Sequence, residues 1–253
     1  LKHDNLMQCY PHNTEKKYLF QCYEYLQGET LAQWLHRQEK PLNLDEILPI
    51  LQQTALALNA MHRLEMLHQD IRPKNIIVLN TESAMKIKLI DYGSTAVRGL
   101  VEINPKNANR ALGTLAFMAP EYFIDHSPSV HSDQFSLAVM AYYLLTKQLP
   151  YGTDLARCNS LKQLKKVQYY SIRKYRPDLP IWLDKILGQA LSIEPTHRFE
   201  ALSELIHNLT HPSKELLNSK PPAIIERDPL RFWQISCAVL GVLLLLSIAW
   251  PFI

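Results

Sequence analysis

The chain has 253 residues, which is long enough to bury a sizeable core in one or two domains. Hydrophobic residues make up 47% of the chain and charged residues 20%, so the composition excludes a largely disordered protein. The formal net charge of +3 is too small to indicate the concentrated basic surface of a nucleic-acid-binding protein, and we expect no nucleic-acid partner.

A strand and a short helix are predicted near the start of the chain. Residues 18–26 are rich in aromatic and β-forming side chains and end at Gln27-Gly28, which indicates a strand that leads into a connection. Residues 30–38 carry apolar side chains at helical spacing, which predicts a helix after that connection.

Residues 44–66 show the same helical spacing over a longer stretch. Asn43 and Glu46 form the pattern of an N-terminal capping pair for this helix. Pro49 lies just beyond the first turn, so we expect a bend or a later start there.

Two apolar runs, residues 76–79 and 85–90, are separated by polar residues and predict a β-hairpin. Asn75 lies at the entrance of this hairpin and Asp91 at its exit. Because the two strands of a hairpin are neighbours, we expect these two polar residues to lie close together.

Three further helices are predicted in the second half of the chain. Residues 135–145 are strongly apolar, which is typical of a buried central helix, with Ser132 or Asp133 as the N-terminal cap. Residues 181–191 and 202–209 have the spacing of amphipathic helices.

Residues 157–176 are basic and contain no acidic residue. Such a run is usually a solvated surface, and the alternative is a surface for an acidic partner or anionic lipid. The cations are Arg157, Lys162, Lys165, Lys166, Arg173, Lys174 and Arg176.

The composition changes near the end of the chain. Residues 213–231 have scattered charges and little apolar periodicity, which indicates a linker. Residues 232–253 carry no charge and are long enough to cross a bilayer, so we predict a transmembrane helix with the lipid bilayer as partner. Arg227 and Arg231 precede it and predict a single-pass protein of the inner membrane whose preceding region faces the cytoplasm. The alternative is a buried C-terminal helix.

Four polar side chains follow one another in an order that has a chemical meaning. Asp70, Arg72 and Asn75 lie within one short segment, and Asp91 follows the predicted hairpin. Phosphoryl transfer needs a carboxylate for the hydroxyl proton, a cation for the phosphate charge, and amide and carboxylate oxygens for magnesium. The order therefore predicts a phosphoryl-transfer site.

The sequence closely resembles the eukaryotic-type protein kinases, in their bacterial serine/threonine branch, as far as about residue 209. The resemblance implies transfer of the ATP γ-phosphate to serine or threonine hydroxyls of protein substrates, with Mg²⁺ as the metal. It rests on motifs in the family's order: His68-Gln69-Asp70, Asp91-Tyr92-Gly93, Gly113-Thr114, Ala119-Pro120-Glu121, Asp133 and Arg198.

The resemblance also assigns roles to single residues. It implies that Asp70 is the catalytic base and that Arg72 replaces the family's lysine on the γ-phosphate. Thr114 is expected to bond Asp70 and to shape the acceptor site. Asn75 and Asp91 are expected to bind Mg²⁺ and, through it, the ATP phosphates.

The adenine of ATP is expected at backbone groups of Glu24 and Leu26, with Tyr23 closing the pocket behind it. Gln69 stands where many family members have an arginine that grips a phosphorylated loop. Because glutamine has no charge for that purpose, we predict that activation does not depend on this switch.

Two pairs are expected to have structural roles. His68 is expected to pack against Tyr92 and support it rather than to carry protons. Glu121 and Arg198 are expected to form a buried ion pair.

The expected fold class is α+β: a protein-kinase-like, mainly helical C-terminal lobe with remnant strands and hinge of the N-terminal lobe, and one C-terminal transmembrane helix. The expected boundaries are 1–26 for the remnant and hinge, 27–212 for the lobe, 213–231 for the juxtamembrane linker and 232–253 for the membrane helix. No glycine-rich phosphate loop or strand lysine precedes the catalytic loop, so we expect a fragment that is inactive by itself. The alternative is a pseudokinase or docking module that keeps the fold without phosphoryl transfer.

Overall fold

The computed structural model describes residues 2–10, 21–79, 85–97, 115–124, 127–218, 230, 232–234 and 236–241. The strands are β1 (Cys9–Tyr10), β2 (Cys22–Tyr23), β3 (Gly28–Thr30), β4 (Met66–Leu67), β5 (Ile76–Leu79), β6 (Lys86–Leu89) and β7 (Ala96–Val97). The α-helices are α1 (Leu31–His36), α2 (Leu44–His62), α3 (Val130–Thr146), α4 (Leu161–Leu164), α5 (Ile181–Ala190), α6 (Leu202–Thr210) and α7 (Lys214–Leu217).

Helix α2 begins where the capping pattern predicts. The Asn43 backbone N–H donates to the Glu46 carboxylate at 2.7 Å, which confirms this half of the capping pair. The helix starts at Leu44 and continues through Pro49, so of the two expected alternatives, a bend or a later start, the later start is wrong. It ends at His62 and not at residue 66, because Met66–Leu67 pairs with β7 as a strand.

Helix α3 is the buried centre of the lobe and packs against α2 and α5. Its N-cap is Ser129, whose side-chain oxygen accepts a backbone N–H of the first turn at 3.2 Å. The predicted cap, Ser132 or Asp133, is therefore wrong. Both residues lie inside the helix, where the Ser132 hydroxyl donates to Glu121 and the Asp133 carboxylate accepts the Gln69 N–H.

The predicted hairpin is confirmed. Strands β5 and β6 are antiparallel with Ile76 opposite Leu89, and β3 adds to β5 to complete a three-stranded sheet. Gly28 permits this addition, because a Cβ at that position would lie 2.2 Å from the Val78 carbonyl oxygen. Helix α1 then starts directly after β3, with Thr30 as its N-cap.

Strands β1 and β2 form a separate antiparallel pair. The segment before β1 is joined to the hairpin, since Met7 N–H donates to the Leu89 carbonyl at 3.0 Å and Leu89 N–H donates to the Asn5 carbonyl at 2.8 Å. Of the strand predicted over residues 18–26, Cys22–Tyr23 is extended and paired, while residues 18–20 lie outside the described residues.

The two amphipathic helices of the second half are confirmed as α5 and α6, which pack against each other. Helix α7 falls within the predicted linker and is capped by Ser213, whose side chain accepts the Leu216 N–H at 3.3 Å. In the described part of the chain, no helix combines the length and apolarity needed to cross a bilayer. Residues 242–253 of the predicted membrane segment lie outside the described residues.

Candidate active site

The loop between His68 and Asn75 folds so that three of the predicted site residues meet. The buried Asn75 side chain donates from its amide nitrogen to the backbone oxygen and to one carboxylate oxygen of Asp70, each at 2.8 Å. Arg72 Nε lies 3.3 Å from the other carboxylate oxygen of Asp70. A carboxylate, an amide and a cation are thus in contact within one loop.

The backbone before Asp70 is held by Asp133 of α3. The Asp133 carboxylate accepts the His68 N–H at 3.0 Å and the Gln69 N–H at 2.9 Å, and it also bonds His62 Nε2 at 2.8 Å. Gln69 has a φ of +66°, a left-handed conformation that is unfavourable for a residue with a side chain. Because these hydrogen bonds offset that cost, Asp133 positions the loop.

His68 has a structural role, as predicted. Its side chain is completely buried, its Nε2 lies 3.2 Å from the Ile90 carbonyl oxygen, and its ring meets the Tyr92 ring edge-on with 6.2 Å between centroids. Burial lowers the pKa of His68, and the neighbouring carboxylates do not offset this effect. The neutral imidazole therefore supports the loop and Tyr92.

The hairpin brings Asn75 and Asp91 together at the level of the backbone. Ile90 N–H donates to the Asn75 carbonyl oxygen at 2.9 Å, and Asp91 is the next residue. Asp91 has a φ of +68°, its side chain is exposed, and its carboxylate accepts the Gly93 N–H at 3.1 Å. The backbones of Asn75 and Asp91 thus lie close together, as the hairpin predicted.

The donor groups of Asn75 and Asp91 fit a magnesium ion that is shared with a nucleotide. The Asn75 amide nitrogen faces Asp70, so the amide oxygen is the atom that would bind the ion, and Asp91 would add a carboxylate. Mg²⁺ commonly takes one or two protein ligands and completes its octahedron with phosphate oxygens and water. Among the described residues there is no group of three or more acidic, histidine or cysteine side chains that could hold a metal without a nucleotide.

Tyr92 links the Asp-Tyr-Gly segment to the start of the chain. Its hydroxyl donates to the Met7 carbonyl oxygen at 2.9 Å. Burial raises the pKa of Tyr92, so the hydroxyl keeps its proton and remains a donor.

One of the two predicted hinge residues, Glu24, is tied to the hairpin of β5 and β6. Glu24 and Leu26 are both partly buried, and Glu24 pairs with Lys88 Nζ at 2.5 Å. Burial raises the pKa of Glu24, but the Lys88 ammonium and the Gln8 N–H outweigh it and lower the pKa overall. Since Lys88 lies on β6, three residues before Asp91, this ion pair joins the predicted hinge segment to the strand that leads to Asp91.

The ion pair predicted between Glu121 and Arg198 is confirmed. Two guanidinium nitrogens of Arg198 donate to the two carboxylate oxygens of Glu121, each at 2.9 Å, and both side chains are buried. Ser132 adds a hydrogen bond of 2.6 Å to Glu121. Thr114 lies outside the described residues, so its bond to Asp70 stays a prediction.

Sequence reasoning missed the parts that His62, Lys88 and Asp133 play around the site. Asp133 carried a signal, since it belongs to the family motifs, but its position before an apolar run indicated a helix cap instead. His62 and Lys88 belong to no motif. Their partners lie 71 and 64 residues away in sequence, so local patterns contain no information about these contacts.

The basic stretch at residues 157–176 is only partly a free surface. The Arg176 guanidinium donates to the carbonyl oxygens of Leu42 and Leu145 at 3.2 and 3.1 Å, and Arg173 Nε donates to the Leu179 carbonyl at 3.1 Å. These two arginines therefore stabilise the fold. The exposed lysines of the stretch are Lys162, Lys165, Lys166 and Lys174.

Comparison with known proteins agrees with this architecture. Residues 1–210 match the family model of the protein kinase domain. The serine/threonine-protein kinase PrkC of Bacillus subtilis (strain 168) is 26% identical over 205 residues, which cover 81% of this chain and 31% of PrkC. The serine/threonine-protein kinase pkn3 of Myxococcus xanthus is 30% identical over 185 residues, covering 71% of this chain and 34% of pkn3. The crystal structure of the Mycobacterium tuberculosis PknI kinase domain superposes with a TM-score of 0.63 at 23% identity, covering 84% of this chain and 74% of that domain.

The chain belongs to the protein kinase domain family. The curated relatives PrkC and pkn3 are named as bacterial serine/threonine kinases, and the solved kinase domain shows the same fold. The chain spans about a third of the length of the curated relatives it matches.

Proposed function

We propose that this protein transfers the γ-phosphate of ATP to serine or threonine hydroxyls of proteins. One observation carries the proposal: the Asp70 carboxylate contacts the Asn75 amide at 2.8 Å and Arg72 Nε at 3.3 Å. This contact supports the proposal, because it brings together a carboxylate, an amide and a cation, the groups that phosphoryl transfer uses.

Each residue has a defined task in this proposal. Asp70 accepts or orients the hydroxyl proton, while Asn75 fixes the carboxylate so that it faces the acceptor. Arg72 has five N–H donors, so it can contact Asp70 and a phosphate oxygen at the same time. Thr114 would align the acceptor beside Asp70.

The nucleotide would lie between the hinge and the hairpin. Backbone groups of Glu24 and Leu26 would receive adenine, and Asn75 and Asp91 would hold Mg²⁺. A bound magnesium ion would neutralise charge that develops on the transferring phosphate. The ion pair between Glu24 and Lys88 supports this placement, because it fixes the hinge relative to the strand that leads to Asp91.

The proposal also includes attachment of the protein to a membrane. Residues 232–253 would form a single membrane-spanning helix and hold the kinase region at the cytoplasmic face of the inner membrane. The exposed lysines of residues 157–176 would then lie near anionic lipid or an acidic partner. The uncharged run at residues 232–253 supports the anchor.

The proposal is tested by phosphate transfer from ATP to a generic protein substrate. The full-length gene product is compared with its Asp70→Asn variant, and we expect the variant to lose at least about a hundredfold in rate. Asp45→Asn serves as the matched control, because Asp45 is exposed on the first turn of α2. Equal rates for wild type and Asp70→Asn would rule out Asp70 as the base and favour a pseudokinase.

A further inference from the structure

A cavity of about 450 Å³ opens beside the proposed active site. Arg72 lines the cavity, and the same side chain contacts the carboxylate of Asp70, the proposed catalytic base. The cavity is therefore separated from Asp70 by the Arg72 side chain. Helix α1 and the turn Pro73–Asn75 pack against each other and form part of its wall.

The polar lining of this cavity is cationic. Lys74 and Lys147 contribute positive charges, Arg72 adds a guanidinium that is shared with the Asp70 carboxylate, and His36 adds an imidazole. No aspartate or glutamate is among the described residues that line the cavity. Its remaining walls are apolar or aromatic and include Phe117 and Tyr143, whose rings meet edge-on at 5.6 Å.

The two lysines lie on separate elements of the fold: Lys147 at the end of α3 and Lys74 in the turn Pro73–Asn75. Lys147 ends α3 in a left-handed conformation, with a φ of +53° and its backbone N–H bonded to the Tyr143 carbonyl at 2.7 Å. Its ammonium donates to the Gln38 carbonyl at 2.5 Å, and an ammonium has three donors in all. Lys74 is exposed, and none of the described carboxylates forms an ion pair with Lys74 or Lys147.

We propose that this cavity binds an aspartate or glutamate side chain of the protein segment that carries the acceptor hydroxyl, so that the kinase selects acidic substrates. The inference rests on the proposed function, because the cavity is useful to catalysis only beside an active Asp70. Charge complementarity supports the occupant: a carboxylate there would meet cations from two sides, whereas a lysine or arginine would be repelled. The aromatic walls would contact the methylene groups of the same side chain.

Peptide binding tests the preference without phosphate transfer. We would use the full-length wild-type protein without ATP and three fluorescent peptides that differ only in having glutamate, glutamine or lysine around one serine. Fluorescence anisotropy at low salt should show the glutamate peptide binding at least about fivefold more tightly than the glutamine peptide, and the lysine peptide most weakly. Equal binding of the glutamate and glutamine peptides would overturn the inference.

Two variants separate the cavity from general surface charge. Lys74→Glu in the same background should abolish or reverse the preference, because it places a carboxylate in the cavity wall. Lys214→Glu makes the same charge change at an exposed position of α7, outside both the cavity and the basic stretch, and should preserve the preference. If both variants lost the preference for the glutamate peptide equally, the effect would come from the net charge of the protein, and the cavity proposal would be wrong.

The outcome is independent of the test of the proposed function. If the wild-type protein transferred no phosphate but still bound acidic peptides through Lys74, the proposed activity would fail and the binding site would stand. If wild type transferred phosphate equally well to acidic, neutral and basic peptides, the activity would stand and the selectivity would fail.

Discussion

The carboxylate of Asp133, in the middle of the chain, accepts the backbone N–H of Gln69 at 2.9 Å and holds that residue in a left-handed conformation. The contact crosses 64 residues and connects the buried helix α3 to the loop that carries Asp70. The geometry of the proposed active site therefore depends on a residue that is outside the proposed catalytic and metal-binding set.

Asp133→Asn should loosen this loop without a change in side-chain volume. The amide can accept from only one of the two backbone N–H groups, so we expect a loss of about 1–3 kcal/mol in the free energy of unfolding. Hydrogen exchange at the Gln69 amide should accelerate. Asp45→Asn, on the exposed first turn of α2, should cost less than about 1 kcal/mol and leave the exchange of the Gln69 amide unchanged. Unchanged exchange in Asp133→Asn would contradict the positioning role.

Glu121→Gln should lower the free energy of unfolding, because it breaks the buried ion pair with Arg198. Removing one charge leaves the other buried and uncompensated, which costs about 3–5 kcal/mol. Urea unfolding at neutral pH measures the effect. Glu39→Gln, at an exposed position, is the control and should stay close to wild type.

The same pair predicts a pH dependence. Burial raises the pKa of Glu121, but Arg198 and Ser132 outweigh burial, so the pKa in the folded protein lies below its usual value. The carboxylate therefore stabilises the fold above the unfolded pKa of about 4.3 and loses this contribution as pH falls through the folded value. The stability difference between wild type and Glu121→Gln should shrink as urea titrations are carried from pH 7 to below pH 4. A constant difference over that range would refute the assignment.

Gly28→Ala should destabilise the three-stranded sheet. The new Cβ would lie 2.2 Å from the Val78 carbonyl oxygen, so β3 and β5 would have to separate, at about 1–3 kcal/mol. Gly188→Ala provides the matched control on α5, since its Cβ would meet Tyr169 at an ordinary 3.6 Å. That variant should be neutral or more stable by about 0.5–1 kcal/mol. In thermal unfolding, Gly28→Ala should lower the melting temperature, whereas Gly188→Ala should leave it unchanged or raise it. An equal fall in both variants would contradict the proposed clash at Gly28.

Tyr92→Phe tests the link between the Asp-Tyr-Gly segment and the start of the chain. The substitution keeps the ring contact with His68 and removes the 2.9 Å hydrogen bond to Met7. We expect a loss of about 1 kcal/mol in the free energy of unfolding. Tyr25→Phe removes a hydroxyl from a side chain that is 92% exposed and should have no effect. Equal stability of the two variants would show that the Met7 bond is dispensable.

Local patterns were sufficient for much of this protein. Two apolar runs separated by polar residues determined the hairpin of β5 and β6, and with it the closeness of Asn75 and Asp91, because hairpin partners are near in sequence. Helical periodicity determined α2, α3, α5 and α6, with errors confined mostly to their ends. The motif order also indicated the family and the residues of the candidate site.

Only the tertiary structure decided how the site is held in place. Asp133 is an N-cap by local sequence rules, yet its carboxylate is used by a loop far away in sequence. The pairing of Glu24 with Lys88 and the cationic cavity with Lys74 and Lys147 likewise join segments that no local pattern relates. Such contacts arise when helices and strands pack and bring distant polar groups into a buried, low-dielectric setting, where each must find a partner. A sequence therefore specifies which chemical groups are present, and packing determines which of them meet.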